Sequence, residues 1–251
     1  MNFFVDALSW LFDLTNWTGP DGIPTRIAQH LLFTMLTLLI AALIAVPIGF
    51  LIGHTGRGRG LVVATSGAFR AIPTLGLLTL VALWVGIGLG APYVALTVLA
   101  IPPILAGAYT GFEAIDRTII DAARAVGMSE VQIVRKVEVP LGLPLLIGGI
   151  RSATLQIVAT ATLAAYIADF GLGRYLFAGL KTRDYGEMLG GSILVILLAI
   201  LLEGGFALVQ KYIVPRGVTA GRPTDIRDGS SRSRPVMDST IEKGTHHVHS
   251  T

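Results

Sequence analysis

Residues 31–53 read LLFTMLTLLIAALIAVPIGFLIG and contain no charged side chain. Crossing a bilayer core of roughly 30 Å takes about 20 apolar residues in a helix. Backbone inside lipid must satisfy its own hydrogen bonds, so such a run folds as a spanning helix. Four more segments qualify: 61–86, 92–112, 141–167 and 189–213. The second contains Arg70 and Pro73, the third bends at Pro102–Pro103, the fourth carries Arg151 and the fifth Glu203. Only 14% of the 251 residues are charged, against about 25% in an ordinary soluble domain. The pattern predicts an all-α, polytopic membrane protein with about five transmembrane helices.

Several function classes fall away at once. A net charge of +3 is too small to suggest nucleic acid binding. Without cysteine there are no disulfides, thiolate metal sites or cysteine nucleophiles. No G-x-x-x-x-G-K-[ST] run occurs, so the chain does not bind ATP through a P-loop. No residue is expected to do covalent chemistry, and no cofactor is expected.

Ahead of the first span lies MNFFVDALSWLFDLTNW. Phe4, Leu8, Leu11 and Phe12 recur at helical spacing, with Asp6 and Asp13 off that face and Trp10 and Trp17 as interface anchors. A cleaved signal peptide wants a basic start and no acids in its apolar stretch. Two readings remain: a helix lying on the membrane surface, or a plain extracytoplasmic lead-in. At the other end, residues 217–251 are rich in Gly, Ser, Thr and Pro and are expected to be disordered. The HHVH run at 246–249 is either a weak metal-binding tract or ordinary tail. The expected organisation is an extracytoplasmic or interfacial segment 1–26, a transmembrane domain 27–213 and a cytoplasmic tail 214–251.

Lysine and arginine give the orientation. Five crossings put Arg57, Arg59, Arg117, Arg124, Arg135, Lys136, Lys211 and Arg216 on one side, and Arg26, Arg174, Lys181 and Arg183 on the other. Eight against four makes the first side cytoplasmic. The N-terminus is then outside and the C-terminus inside.

Between the third and fourth spans sits a charged island, DAARAVGMSEVQIVRKVEVP, at 121–140. Ile115, Ile119, Ala123 and Val126 are expected on one face of a first short helix. Gly127 then ends that helix in the left-handed conformation a C-cap needs. Ser129 and Gln132 have capping-box spacing for a second helix, with Ile133, Val134 and Val137 on one side. Glu130 falls in its first turn, where the helix dipole favours an acid. Pro140 is expected to end this helix. Pattern alone leaves two readings open, a docking element for a partner or a solvated connector.

The same residues carry a resemblance. Asp121-Ala122-Ala123, three residues, Gly127, nine residues, Val137, one residue and Val139-Pro140 resemble the EAA loop of bacterial ABC importer permeases. Asp stands for the usual Glu, and valine for the usual Ile and Leu. In that family the loop, 113–140 here, is a coupling helix that fits a groove on the ATPase subunit. Further stretches, FRAIPTLGLLTL at 69–80, GIGLGAPYVALTVLAIPPIL at 86–105, VPLGLPLLIGGIRSAT at 139–154 and ATLAAYIADFGLGRYL at 161–176, are similar to the osmoprotectant branch. That branch carries glycine betaine, carnitine, choline and related quaternary amines. Permeases for methionine, phosphonate or sulfonate share the coupling loop. ADFGLG at 168–173 stands where Gly-Ala-Gly-Gly-Leu-Gly is more usual. The resemblance implies a MetI-like permease fold and coupling residues Asp121, Ala122, Ala123, Gly127, Val137 and Pro140. It also implies partners: a second permease subunit (same or paralogous), ATPase subunits and an extracytoplasmic binding protein.

Polar groups inside the spans mark candidate pathway positions. Ser152, Gln156 and Thr160 form one stripe at i, i+4 and i+8. They suit either a pathway wall or interhelical hydrogen bonding. Pro73, Pro102 and Pro103 break helices and free carbonyls, toward a pathway or as simple kinks. Arg70, Arg151 and Glu203 each lie near mid-bilayer, where an unpaired charge is expensive. Glu203 is expected to pair with Arg70 or Arg151, the alternative being arginines that snorkel to the surface. After the fourth span, Leu172, Tyr175, Leu176 and Leu180 suggest a short outer helix. A secondary transporter driven by an ion gradient also fits the intramembrane charges but leaves the coupling loop without a purpose. A membrane scaffold fits the loop but not the polar stripe.

Overall fold

In the computed structural model, residues 2–213 are described, except the side chains of residues 61, 63, 65, 66 and 70. The expectations for 214–251, Arg216 and HHVH therefore lie outside the described residues, as does the Arg70 side chain. The helices in order are α1 (Phe3–Phe12), α2 (Ile23–Thr55), α3 (Arg59–Ala71), α4 (Thr74–Val85), α5 (Gly90–Glu113), α6 (Arg117–Ala125), α7 (Glu130–Ile133), α8 (Val139–Ala161), α9 (Gly173–Thr182) and α10 (Tyr185–Ile213). Among the described residues there is no strand.

The five apolar segments become four long helices and one broken pair. Ile23–Thr55, Gly90–Glu113, Glu130–Tyr166 and Tyr185–Ile213 are long and apolar enough to cross a membrane. Segment 61–86 instead splits at Ile72–Pro73 into α3 and α4, of 13 and 12 residues. The residue before a proline is pushed toward extended backbone. Ile72, at φ −75° and ψ 122°, is extended, so the helix stops there.

Pro140 does not end a helix, contrary to the sequence expectation. Helix runs without interruption from Glu130 to Tyr166. A wide π turn, Val134–Glu138, precedes the proline, and Val139 donates its N–H to the Val134 carbonyl. Proline cannot donate, and its ring crowds the carbonyl four residues back. The wider turn relieves that crowding.

Close backbone contact builds the core. Ala41, Ala45, Gly49 and Gly53 are all buried along one stripe of α2. A Cβ built on Gly49 would sit 2.5 Å from Ala108 Cβ, and one on Gly53 would sit 2.7 Å from Phe112 Cβ. The neighbouring face of α5 presents Gly107 and Gly111 to α8. There a Cβ would meet Leu145 O and Gly142 O respectively, each at 2.7 Å. Small residues let helices approach in lipid, where the hydrophobic effect does not draw them together. So α5 packs closely on both α2 and α8, and Ala41 and Ala45 of α2 share one buried cluster with Ala153 and Ile157 of α8. Gly107→Ala should force these helices apart and cost about 1–3 kcal/mol, as overpacking does. Gly148→Ala, whose Cβ meets nothing within 4 Å, should leave thermal stability in detergent unchanged.

At the other end of the chain, α1 runs alongside the start of α10 in the same direction. Phe3 packs edge-on to Tyr185 at 5.4 Å, and Trp10 covers Gly190 and meets Tyr175 edge-on at 4.9 Å. Trp10 is thus a packing residue filling the slot a glycine leaves, not a free interface anchor. Trp17 donates its indole N–H to the Leu11 carbonyl at 2.7 Å.

Candidate functional site

The loop between α5 and α8 is shaped by three local caps. Asp116 accepts the Thr118 backbone N–H at 2.9 Å and starts α6. That hydrogen bond, with the Thr118 side chain, holds the Asp116 carboxyl below its ordinary range. At the far end Gly127 donates to Arg124 O at 2.9 Å and Met128 donates to Ala123 O at 3.1 Å. This is the Schellman pattern, and Gly127 holds the left-handed φ of +84° that it needs. Ser129 and Gln132 then form both halves of a capping box.

Ile115, Ile120, Ala123 and Ile133 make a small apolar cluster under the loop, with Met128, Val137 and Leu141 against it. The inward face of α6 therefore differs from the expected one. Ile119 is exposed and Val126 is 78% exposed, while Ile120 is buried. Ile115 precedes the Asp116 cap, outside the helix, so it cannot set the helical phase; Ile120 and Ala123 do. The consequence is an outward surface carrying Ile119, Ala122, Val126 and Val131 beside Asp121 and Arg124. Among the coupling candidates, Asp121 and Ala122 are exposed, Ala123 is buried, and Val137 and Pro140 are half-buried.

Further along α8, Ser152 and Gln156 line a cavity of about 150 Å³ with Phe69, Leu99, Pro102 and Pro103. Pro103 has no N–H to give to the carbonyl four residues back, which is Leu99. Gln156 Nε2 donates to that carbonyl at 3.4 Å. Thr160 and Pro73 are elsewhere: Thr160 bonds its own helix at Gln156 O, 2.7 Å away, and Pro73 caps α4. Gln156→Leu should strip the Leu99 carbonyl of its donor and lower stability by about 1–3 kcal/mol. Unchanged thermal unfolding in detergent would mean that solvent already serves that carbonyl.

Arg151 Nε donates to Glu203 Oε2 at 2.7 Å, and its Nη2 also pairs with Glu203 Oε1. Each side chain retains about a third of its exposure. The pair joins α8 to α10.

At the opposite end of α2, Arg26 is 3% exposed and reaches Asp21 at 2.6 Å and Asp169 at 2.9 Å. Gln29 accepts the Gly171 N–H at 3.0 Å, and the His30 ring accepts the Leu172 N–H at 3.3 Å. The ADFGLG run thus has its own local logic. Asp169 supplies the carboxylate for Arg26, and Phe170 packs edge-on to Phe33 at 6.1 Å. The sequence counts Arg26 toward orientation and places Phe69 and Asp169 in the resembling stretches, but announces none of their contacts, because partners such as Arg26 and Asp169 lie 143 residues apart.

A bundle of long apolar helices with a capped helix pair at one end and a polar-lined cavity within defines a membrane transport subunit. The chain belongs to the family of binding-protein-dependent transport system inner membrane components, whose family model matches residues 45–217. It is 29% identical to the glycine betaine/carnitine/choline transport system permease protein OpuCB of Bacillus subtilis, over 77% of this chain and 89% of that protein. Identity is 30% to the B. subtilis choline transport system permease protein OpuBB, over 76% and 88%. It is also 30% to the Salmonella typhimurium osmoprotectant import permease protein OsmW, over 76% and 91%. Among solved structures, a chain of the inward-facing methionine ABC transporter MetNI superposes with a TM-score of 0.65 at 25% identity. That match covers 83% of this chain and 98% of the other.

Proposed function

We propose that the chain is the permease subunit of an ATP-driven importer for quaternary-amine osmoprotectants such as glycine betaine, carnitine or choline. The observation that carries this reading is the capped loop at 113–140, which turns a mixed apolar and charged surface outward while keeping its own apolar cluster dry. ATP is hydrolysed by separate cytoplasmic subunits that dock there, with Asp121, Ala122, Ala123 and Gly127 forming or shaping the contact. Because α7, the π turn and α8 are one continuous helix, a push on the loop reaches Ser152 and Gln156 directly. Those two side chains, with Phe69, form one wall of the translocation pathway, and a second permease subunit completes it. An extracytoplasmic binding protein delivers the solute.

Orientation rests on the eight-to-four excess of Lys and Arg. Arg59 meets Glu113 at 2.7 Å beside the loop, and Arg174 meets Asp169 at 3.3 Å at the opposite end of the bundle. The N-terminus is outside and the membrane is the bacterial inner membrane.

The substrate class rests on the relatives' transported solutes. The test is uptake of radiolabelled choline, glycine betaine and carnitine, against methionine, into vesicles holding the complex with its co-encoded binding protein. Accumulation of a quaternary amine is expected, and methionine alone accumulating would refute the substrate class.

A further inference from the structure

His54 closes the inner end of α2 against the loop. Its Nδ1 lies 2.7 Å from Glu138 Oε2 and its Nε2 lies 3.3 Å from Glu130 Oε2. Glu138 is 2% exposed, within the π turn that leads into α8. Glu130 is also held by Arg124, whose Nε donates to Oε1 at 2.9 Å and whose Nη2 donates to Oε2 at 3.2 Å. Arg124 Nη1 in turn reaches Asp121 Oδ1 at 3.4 Å. One chain of charges therefore runs from Asp121 through Arg124, Glu130 and His54 to Glu138. Nearby, Glu113 of α5 is taken by Arg59 of α3, and Arg135 and Lys136 are exposed.

Two features single out this cluster. First, a carboxyl group faces each ring nitrogen of His54, so the imidazole is bracketed by two acids from the loop. Second, the apolar cluster under the loop contains no α2 residue. The hydrogen bond and the ion pair that the structure gives between α2 and the loop both run through His54. The loop is continuous with α8 and with α5, whose Phe112 packs on Phe50 and Gly53 of α2, while His54 ties α2 to the α7 and π-turn side of the loop. Position 138 is the unspecified residue of the EAA pattern, so the motif assigns it nothing.

We propose that His54 is a positioning residue that clips α2 to the coupling loop, so that movement of the loop carries α2 along with α8. This rests on the coupling role given to the loop above. A carboxylate as buried as Glu138 is costly unless paired, and removing one partner of a buried pair is worse than removing both. That asymmetry separates a conformational role from a merely structural one.

The experiment uses the reconstituted importer complex and reads three quantities: thermal stability, ATP hydrolysis and choline taken up per ATP. His54→Gln should lower choline moved per ATP by at least about fivefold, the small end of ordinary coupling between sites. His54→Arg, which can donate to both carboxylates, should recover part of it. The double variant His54→Gln/Glu138→Gln removes the buried charge with its partner. It should regain stability yet stay uncoupled. Wild-type coupling in His54→Gln, or full recovery of coupling in the double variant, would overturn the proposal. Asp121→Lys and Gly127→Val run alongside. If they lose transport while the His54 variants keep it, the clip alone is wrong; if they also transport normally, the coupling role of the loop falls too.

Discussion

Gly127→Val should leave the subunit in the membrane and remove most of its transport. Gly127 sits at φ +84°, a conformation that a β-branched residue strongly resists. Space is not the obstacle, since a Cβ there meets nothing within 4 Å. The whole penalty is backbone strain, on the order of 1–3 kcal/mol. Relief of that strain breaks the two bonds to Arg124 O and Ala123 O and turns α7 away from α6. About 1.4 kcal/mol is a tenfold change in the docked fraction, so uptake should fall roughly tenfold or more. Because strain alone is responsible, asparagine at this position should be milder than alanine, and alanine milder than valine. Uptake normalised to membrane-inserted protein is the measurement. A valine variant with wild-type uptake would contradict the geometry assigned to the cap.

Charge reversal at Arg151 and Glu203 should be severe singly and mild together. Each single reversal puts two like charges into contact within the membrane-spanning part of the chain, where an unpaired charge alone costs about 2.5–3.5 kcal/mol on insertion scales. Arg151→Glu and Glu203→Arg should each reduce the folded subunit recovered from membranes. The double variant restores an opposite pair between α8 and α10 and should recover most of it. No recovery in the double would mean that the contact does not hold the two helices together.

The sequence carried the local features well, for a physical reason. Charge-free runs of 20 residues have one stable fate in lipid, and Gly127, Ser129 and Gln132 act on backbone within a few residues of themselves. Glu203 and Arg151 were legible as expensive charges in need of partners, though the choice of Arg151 depends on how α8 and α10 pack. What stayed hidden was set at a distance or by phase. Pro73 and Pro140 look alike as helix breakers, yet one ends a helix and the other is absorbed by a π turn. Ile119 and Ile120 are both apolar, and only the Asp116 cap decides which one turns inward. Trp10 looked like an interface anchor because nothing local announces Gly190, 180 residues on. His54 carried no signal, because its partners lie 76 and 84 residues away.

Source of energy is the direct test of the whole account. The complex of this chain with its ATPase and binding-protein partners is placed in sealed vesicles, and labelled choline uptake is followed under two conditions. One has ATP supplied to the ATPase side and ionophores collapsing every ion gradient; the other has a proton or sodium gradient without ATP. Uptake under the first condition only, lost in the Asp121→Lys variant, is the expected result. Uptake driven by the gradient without ATP, and unaffected by Asp121→Lys, would contradict it.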